Sequence, residues 1–200
     1  MNFKPSDFFL SIVDFLGILV PGSVLVYLEA EWISRIFKVS PLQVHWLVFA
    51  AAAYLLGHLL LALTEPLNGS VKPITQRFWP FRKIHEDVDA FEKESIPLLG
   101  SAATKNAGTA FHAALSFLRL KHPEAAAEID RHMAGYKLLR SLVAVFLFDL
   151  VISIPAWPQT SMRILADVVL TLIFFLAFAR MAQWAYLLAF QYCILIHEQK

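Results

Sequence analysis

Four stretches of this chain stay apolar long enough to cross a hydrocarbon core of about 30 Å, which takes roughly 20 helical residues. They are residues 8–28, 44–63, 138–154 and 164–179. The first contains Asp14 and is interrupted by Pro21-Gly22. The second holds no carboxylate, Lys or Arg. The third starts beside Arg140, carries Asp149 near its middle and ends before Pro155-Ala-Trp-Pro158. The fourth holds Asp167 close to its start and stops at Arg180. Only helices can be expected here, because an open strand would leave backbone groups unpaired in lipid. The pattern predicts an all-α integral membrane protein, with four transmembrane helices and a helical cytoplasmic domain between spans 2 and 3.

The polar stretch 65–137 supplies that domain, and Pro66, Asn68 and Gly69 mark its start as a turn. Within it Ala107, Ala110, Phe111, Ala114, Leu115 and Leu118 recur at i, i+3, i+4, i+7, i+8 and i+11, the apolar stripe of an amphipathic helix. Pro97 and Gly100 are expected to break the chain before it. Pro123 fits the first position of a further helix, with Glu124 in its first turn and Ala125, Ile129 and Met133 continuing it. Gly135 is the one breaker before the third span, so helix and span are open to being continuous. The expected division is a transmembrane hairpin at 1–64, a helical domain at 65–137, and a second hairpin at 138–200 with a helical C-terminal extension. Residues 181–196 are apolar but studded with Gln183, Trp184, Tyr186, Gln191 and Tyr192. They either prolong the fourth helix or make a short fifth crossing.

Composition sharpens the class. Hydrophobic residues are 58% of 200 and charged residues 16%, against about 45–50% and about 25% in ordinary globular chains. Mean hydropathy is +0.59. That much apolar surface excludes a soluble enzyme and a disordered chain. The net charge of +1 gives no basic excess for nucleic acid. The N-terminus reads as a retained span rather than a signal peptide, because Asp7 and Asp14 occupy the n- and h-regions and no A-x-A site follows. With the N-terminus in the cytoplasm, fourteen Lys/Arg fall inside and three (Arg35, Lys38 and Arg163) outside. That split predicts a multi-pass membrane protein with both termini cytoplasmic. Trp32, Trp46, Trp157 and Trp184 lie near the span ends, where interfacial aromatics belong.

An Asp at a helix centre costs about 2.5–3.5 kcal/mol to insert, so Asp14 and Asp149 are candidates either for an interhelical hydrogen bond or for lining a pore. Asp167 reads as interfacial. Tyr54 and His58, spaced i, i+4, form a candidate polar patch on the second span. Ala53 and Gly57 form a small-x-x-x-small packing face, and Pro21-Gly22 a candidate kink. Arg77, Arg82 and Lys83, within a basic-aromatic segment, are a candidate juxtamembrane anchor. The histidines lack the three- or four-residue spacing of a helical metal site, Cys193 is alone, and no G-x-S-x-G, Walker A or H-E-x-x-H occurs. No enzyme, cofactor or metal is expected.

Asp14-Phe-Leu-Gly-Ile-Leu-Val-Pro-Gly22 with Asp7 ahead of it, Ala53-Tyr-Leu-Leu-Gly-His58 and Tyr136-Lys-Leu-Leu-Arg-Ser-Leu142 follow one another across nearly the whole chain. This layout resembles small bacterial multi-pass membrane proteins linked to defence loci, among them the accessory membrane proteins of type VI-B CRISPR systems. The resemblance implies a homo-oligomer that forms a pore and depolarises the bacterial inner membrane in anti-phage defence. The ribonuclease-like Arg/His spacing associated with that family is missing, since seven residues separate Arg77 from His85 and two separate Arg82 from it. A nuclease role therefore does not carry over. The expected function is an oligomeric effector that forms a pore or perturbs the membrane, with the lipid bilayer and further copies of itself as partners. The alternative is a non-conducting scaffold or accessory subunit that anchors a cytoplasmic protein partner.

The charge split makes a direct prediction. Reporters fused after Gly69, Lys121 or Lys200 should be active in the cytoplasm, and reporters at Ser40 or Gln159 outside it. An external signal at Lys121 overturns the map.

Overall fold

The computed structural model describes residues 5–30, 46–67, 79–99, 107–156 and 158–198, apart from the side chains of 5–14, 16, 79–81, 107–109 and 156. Those residues form α1 (Pro5–Leu28), α2 (Trp46–Leu63), α3 (Trp79–Leu99), α4 (Ala107–Lys121), α5 (Pro123–Ser153) and α6 (Ser161–Glu198). A 3-10 turn at Ile154–Ala156 follows α5, and there is no strand among the described residues. The all-helical expectation therefore holds there. Two helices, α2 and α6, are long and apolar enough to cross a membrane, and Gly17–Leu28 is a shorter apolar stretch. The third expected span differs because the last part of α5 carries Lys137, Arg140 and Asp149.

Several boundaries follow from local chemistry. Pro123 opens α5, where its missing N–H is no loss. The His122 carbonyl then accepts from the Ala126 N–H at 3.2 Å, closing the first turn. α5 continues through Gly135 without a break, so the helix of the polar region and the expected third span are one element. Pro97 lies inside α3 instead of ending it, two residues from the C-terminus. There it takes away the N–H that would pair with the Lys93 carbonyl and crowds that carbonyl, and the helix runs only two residues further. α6 runs unbroken for 38 residues, about 57 Å at 1.5 Å per residue. A fifth crossing would need the chain to reverse beyond Ala179, and no turn interrupts the helix there.

The chain divides into two compact units, and α1, α5 and α6 contribute residues to both. The first unit comprises Met1–Leu10, Ser70–Ala134 and Ala179–Lys200. Its core is the stripe expected on α4, with Ala110, Phe111, Ala114, Leu115 and Leu118 all buried. They pack with Val88 of α3, Ile129 of α5, and Leu187, Ala189, Phe190 and Cys193 of α6. Phe111 and Tyr186 meet with ring centroids 4.4 Å apart. Arg119 pairs with Asp130 at 2.8 Å, tying α4 to α5 at the surface. The expected C-terminal extension thus belongs to the same unit as most of the polar stretch.

The second unit comprises Ser11–Gly69 and Gly135–Phe178. Here the small residues decide how closely α1 and α2 approach. A Cβ at Gly22 would overlap the Ala53 carbonyl and come within 2.8 Å of the Gly57 nitrogen. A Cβ at Gly57 would lie 2.7 Å from the Ile18 carbonyl carbon. Backbone thus meets backbone, as small-residue faces allow. Leu25, Leu60 and Val145 form the buried cluster beside this crossing. At the end of α2 the Thr64 hydroxyl donates to the Leu60 carbonyl at 2.8 Å, and an Arg140 Nη donates to the Leu61 carbonyl at 3.3 Å. The Leu60 carbonyl also accepts from the Thr64 N–H at 3.0 Å, and a cation at the C-terminal end of a helix suits its dipole.

The two units differ in what they show to their surroundings. Of the twenty-three exposed large apolar side chains among the described residues, twenty fall in the second unit. Leu120, Trp184 and Leu195 are the exceptions.

The α1–α2 approach predicts that Gly22→Ala and Gly57→Ala each destabilise the second unit by about 1–3 kcal/mol, since rigid backbone must move. Ala51→Leu, on the exposed side of α2, should stay within about 0.5 kcal/mol. Unfolding in mixed micelles measures all three, and equal stabilities would place the glycines outside the contact.

Candidate functional site

The second unit contains a buried charge cluster drawn from three segments. The 3-10 turn and the short loop after it return the chain from α5 to α6. The Thr160 hydroxyl donates to the Ser153 carbonyl at 2.8 Å, and the Ile164 N–H to the Thr160 carbonyl at 2.9 Å. This return sets Arg163, in the first turn of α6, opposite Asp149 on α5. Arg163 donates through Nε to Asp149 Oδ2 at 3.3 Å and through an Nη to Asp149 Oδ1. The same Nη reaches Glu29 Oε1 at 3.2 Å and the Leu28 carbonyl at 3.4 Å, just past the end of α1. Asp167, one helical turn beyond Arg163, lies beside Asp149.

Burial in the cluster is uneven. Glu29, Asp149 and Asp167 are 3%, 1% and 4% exposed, while the Arg163 side chain is 42% exposed. Burial is the main cause that pushes the Glu29 carboxyl up to about 7, and its contact with Asp149 adds to it. The hydrogen bonds that Arg163 donates to Asp149 hold its guanidinium more firmly charged than usual. A cation in the first turn opposes the dipole of α6, so the guanidinium depends on its carboxylates. Chemically the cluster can pair charge, hold water or exchange a proton.

The expected site residues separate into groups. Asp149 is in the cluster. The side chain of Asp14 lies outside the described residues, as does Arg77. Pro21 and Gly22 are buried within an α1 that runs through both. Ala53 and Gly57 face α1. Tyr54 and His58 flank that face, exposed, with rings edge-on at 4.6 Å and Phe15 of α1 5.9 Å from Tyr54. Arg82 and Lys83 are exposed on α3, and Arg82 pairs with Glu86 at 2.9 Å.

Sequence reasoning missed Glu29, and it treated Arg163 as a topological charge and Asp167 as interfacial. One signal was available. Asp149 in an apolar helix needs a counter-ion. Arg163 is the cation at the hairpin return, and Asp167 follows it at i+4. Neither family models, nor characterised proteins, nor solved structures match this chain.

Replacing Asp149 separates charge pairing from shape. Asp149→Leu should cost on the order of 3 kcal/mol, because it removes both hydrogen bonds to Asp149 and leaves the guanidinium with Glu29 and the Leu28 carbonyl. Asp149→Asn keeps an acceptor and should cost about 1–2 kcal/mol. In a double-mutant cycle with Arg163→Gln, the Asp149→Asn penalty should largely disappear. Additive penalties would remove the pair from the stability of the unit.

Proposed function

We propose that this chain is a multi-pass helical protein of the inner membrane that anchors a folded helical module on the cytoplasmic side, where the module docks a protein partner. The observation that carries this reading is the distribution of apolar surface. The second unit exposes twenty large apolar side chains, including Leu55, Leu59, Val151, Leu165 and Leu172. Water disfavours such a surface and lipid accepts it. The first unit buries its apolar residues in a core of its own, as a module in water does. The four apolar stretches are read as spans, with both termini inside. Lys121, Arg131 and Lys137 then join the cytoplasmic side that the positive charges favour.

The pairing of Asp149 with Arg163 inside one chain supports an anchoring role for the embedded charges. Asp149 is buried, and the guanidinium supplies its counter-ion from within the same chain. A second reading, an oligomeric pore of the kind the resemblance implies, is favoured by Tyr54 and His58. Both are exposed on an otherwise apolar helix, where lipid offers the imidazole no partner and a neighbouring copy would.

Ion flux into liposomes carrying the purified protein decides between them, read together with membrane potential in expressing cells. Anchoring predicts flux no greater than in empty liposomes and an unchanged potential. Protein-dependent flux that His58→Ala or Asp149→Asn alters would overturn the anchor and establish the pore.

A further inference from the structure

The cluster at the end of α1 holds more acid than base. Glu29, Asp149 and Asp167 are buried, and Arg163 is the one cation pairing with them among the described residues. With every group ionised, three carboxylates would face one guanidinium. A buried carboxylate without its own counter-ion costs several kcal/mol, and such a group takes a proton instead. An independent feature points the same way. Asp167 Oδ2 is buried with no hydrogen-bond partner, as are Ser153 Oγ, one turn beyond Asp149, and Thr171 Oγ1, one turn beyond Asp167. Oxygen atoms left this way call for a hydrogen from a protonated neighbour or a water.

The positions within the cluster are not equivalent. Asp149 takes two of the guanidinium contacts, through both of its oxygens. Glu29 has a single contact to Arg163 at 3.2 Å and sits just beyond the last residue of α1, next to the half-exposed arginine. We propose that the cluster is a proton-binding site in which Glu29 takes up one proton in the folded protein, and that release of this proton loosens the end of α1 from α5 and α6. The charged groups bearing on Glu29 are Asp149 of α5 and Arg163 and Asp167 of α6. The two aspartates oppose its ionisation and the arginine favours it. The site serves an anchor and a pore equally, so it does not depend on the choice between them.

The sign of the pH dependence follows. Burial raises the Glu29 carboxyl from its ordinary 4.5 to about 7, so the proton binds the folded chain more tightly than the unfolded one. The resulting stability is complete below 4.5 and is lost as pH rises through about 7. Unfolding of the purified full-length protein in detergent, followed from about pH 8 to about pH 5, tests this. In the wild type the unfolding constant should fall by up to about tenfold per pH unit in that window. Glu29→Gln should flatten the profile and exceed the wild type in stability at the alkaline end. Asp167→Asn should keep the transition but move it to lower pH, because a neighbouring negative charge is gone. Identical profiles for wild type and Glu29→Gln would overturn the proposal. If Glu29→Gln fails to fold, infrared spectra of the wild type decide. A protonated-carboxyl band that fades between about pH 5 and about pH 8 supports the site, and its absence at the acid end overturns it.

Discussion

A guanidinium in the first turn of a helix works against the helix dipole, and a carboxylate in the middle of an apolar helix works against its surroundings. Arg163 and Asp149 each remove the other's difficulty. The pairing requires α6 to return beside α5, and the Thr160 to Ser153 hydrogen bond closes that return. The remaining guanidinium contacts reach the Leu28 carbonyl and Glu29. One side chain therefore holds the end of α1, the body of α5 and the start of α6 together. It also gathers more negative charge than it neutralises, which makes a structural clamp into a candidate proton site.

The rest of the second unit relies on close approach rather than charge. Gly22, Ala53 and Gly57 let α1 and α2 meet backbone to backbone. The small-residue face is thereby used within the chain, and the exposed surface of α2 includes Leu55, His58 and Leu59. The first unit is built on ordinary amphipathic logic. Its α4 stripe closes on α3, α5 and α6, and its charged residues, such as Arg119 with Asp130, lie at the surface. One chain thus contains a unit with an apolar outside and a unit with an apolar inside. This contrast favours a bilayer as the surroundings of the former.

The local elements were legible in the sequence because near neighbours determine them. The period of Ala110, Phe111, Ala114, Leu115 and Leu118 already states which face of α4 is buried, and Pro123 already states where α5 begins. The small pair Ala53 and Gly57 announces that some backbone comes close. The excess of apolar residues raises the expectation of membrane spans, and two helices long and apolar enough to cross a membrane are what the described residues show of it. What the sequence left open depended on residues far apart along the chain. That α1 is the helix against Ala53 and Gly57, that Cys193 and Phe190 complete the α4 core, and that Glu29 meets Arg163 across 134 positions are decided by tertiary packing. Periodicity reports which face of a helix is buried and is silent on what covers it. A lone Asp149 states only that a partner is needed, and the folded chain alone supplies Arg163 and brings two further carboxylates to the same place.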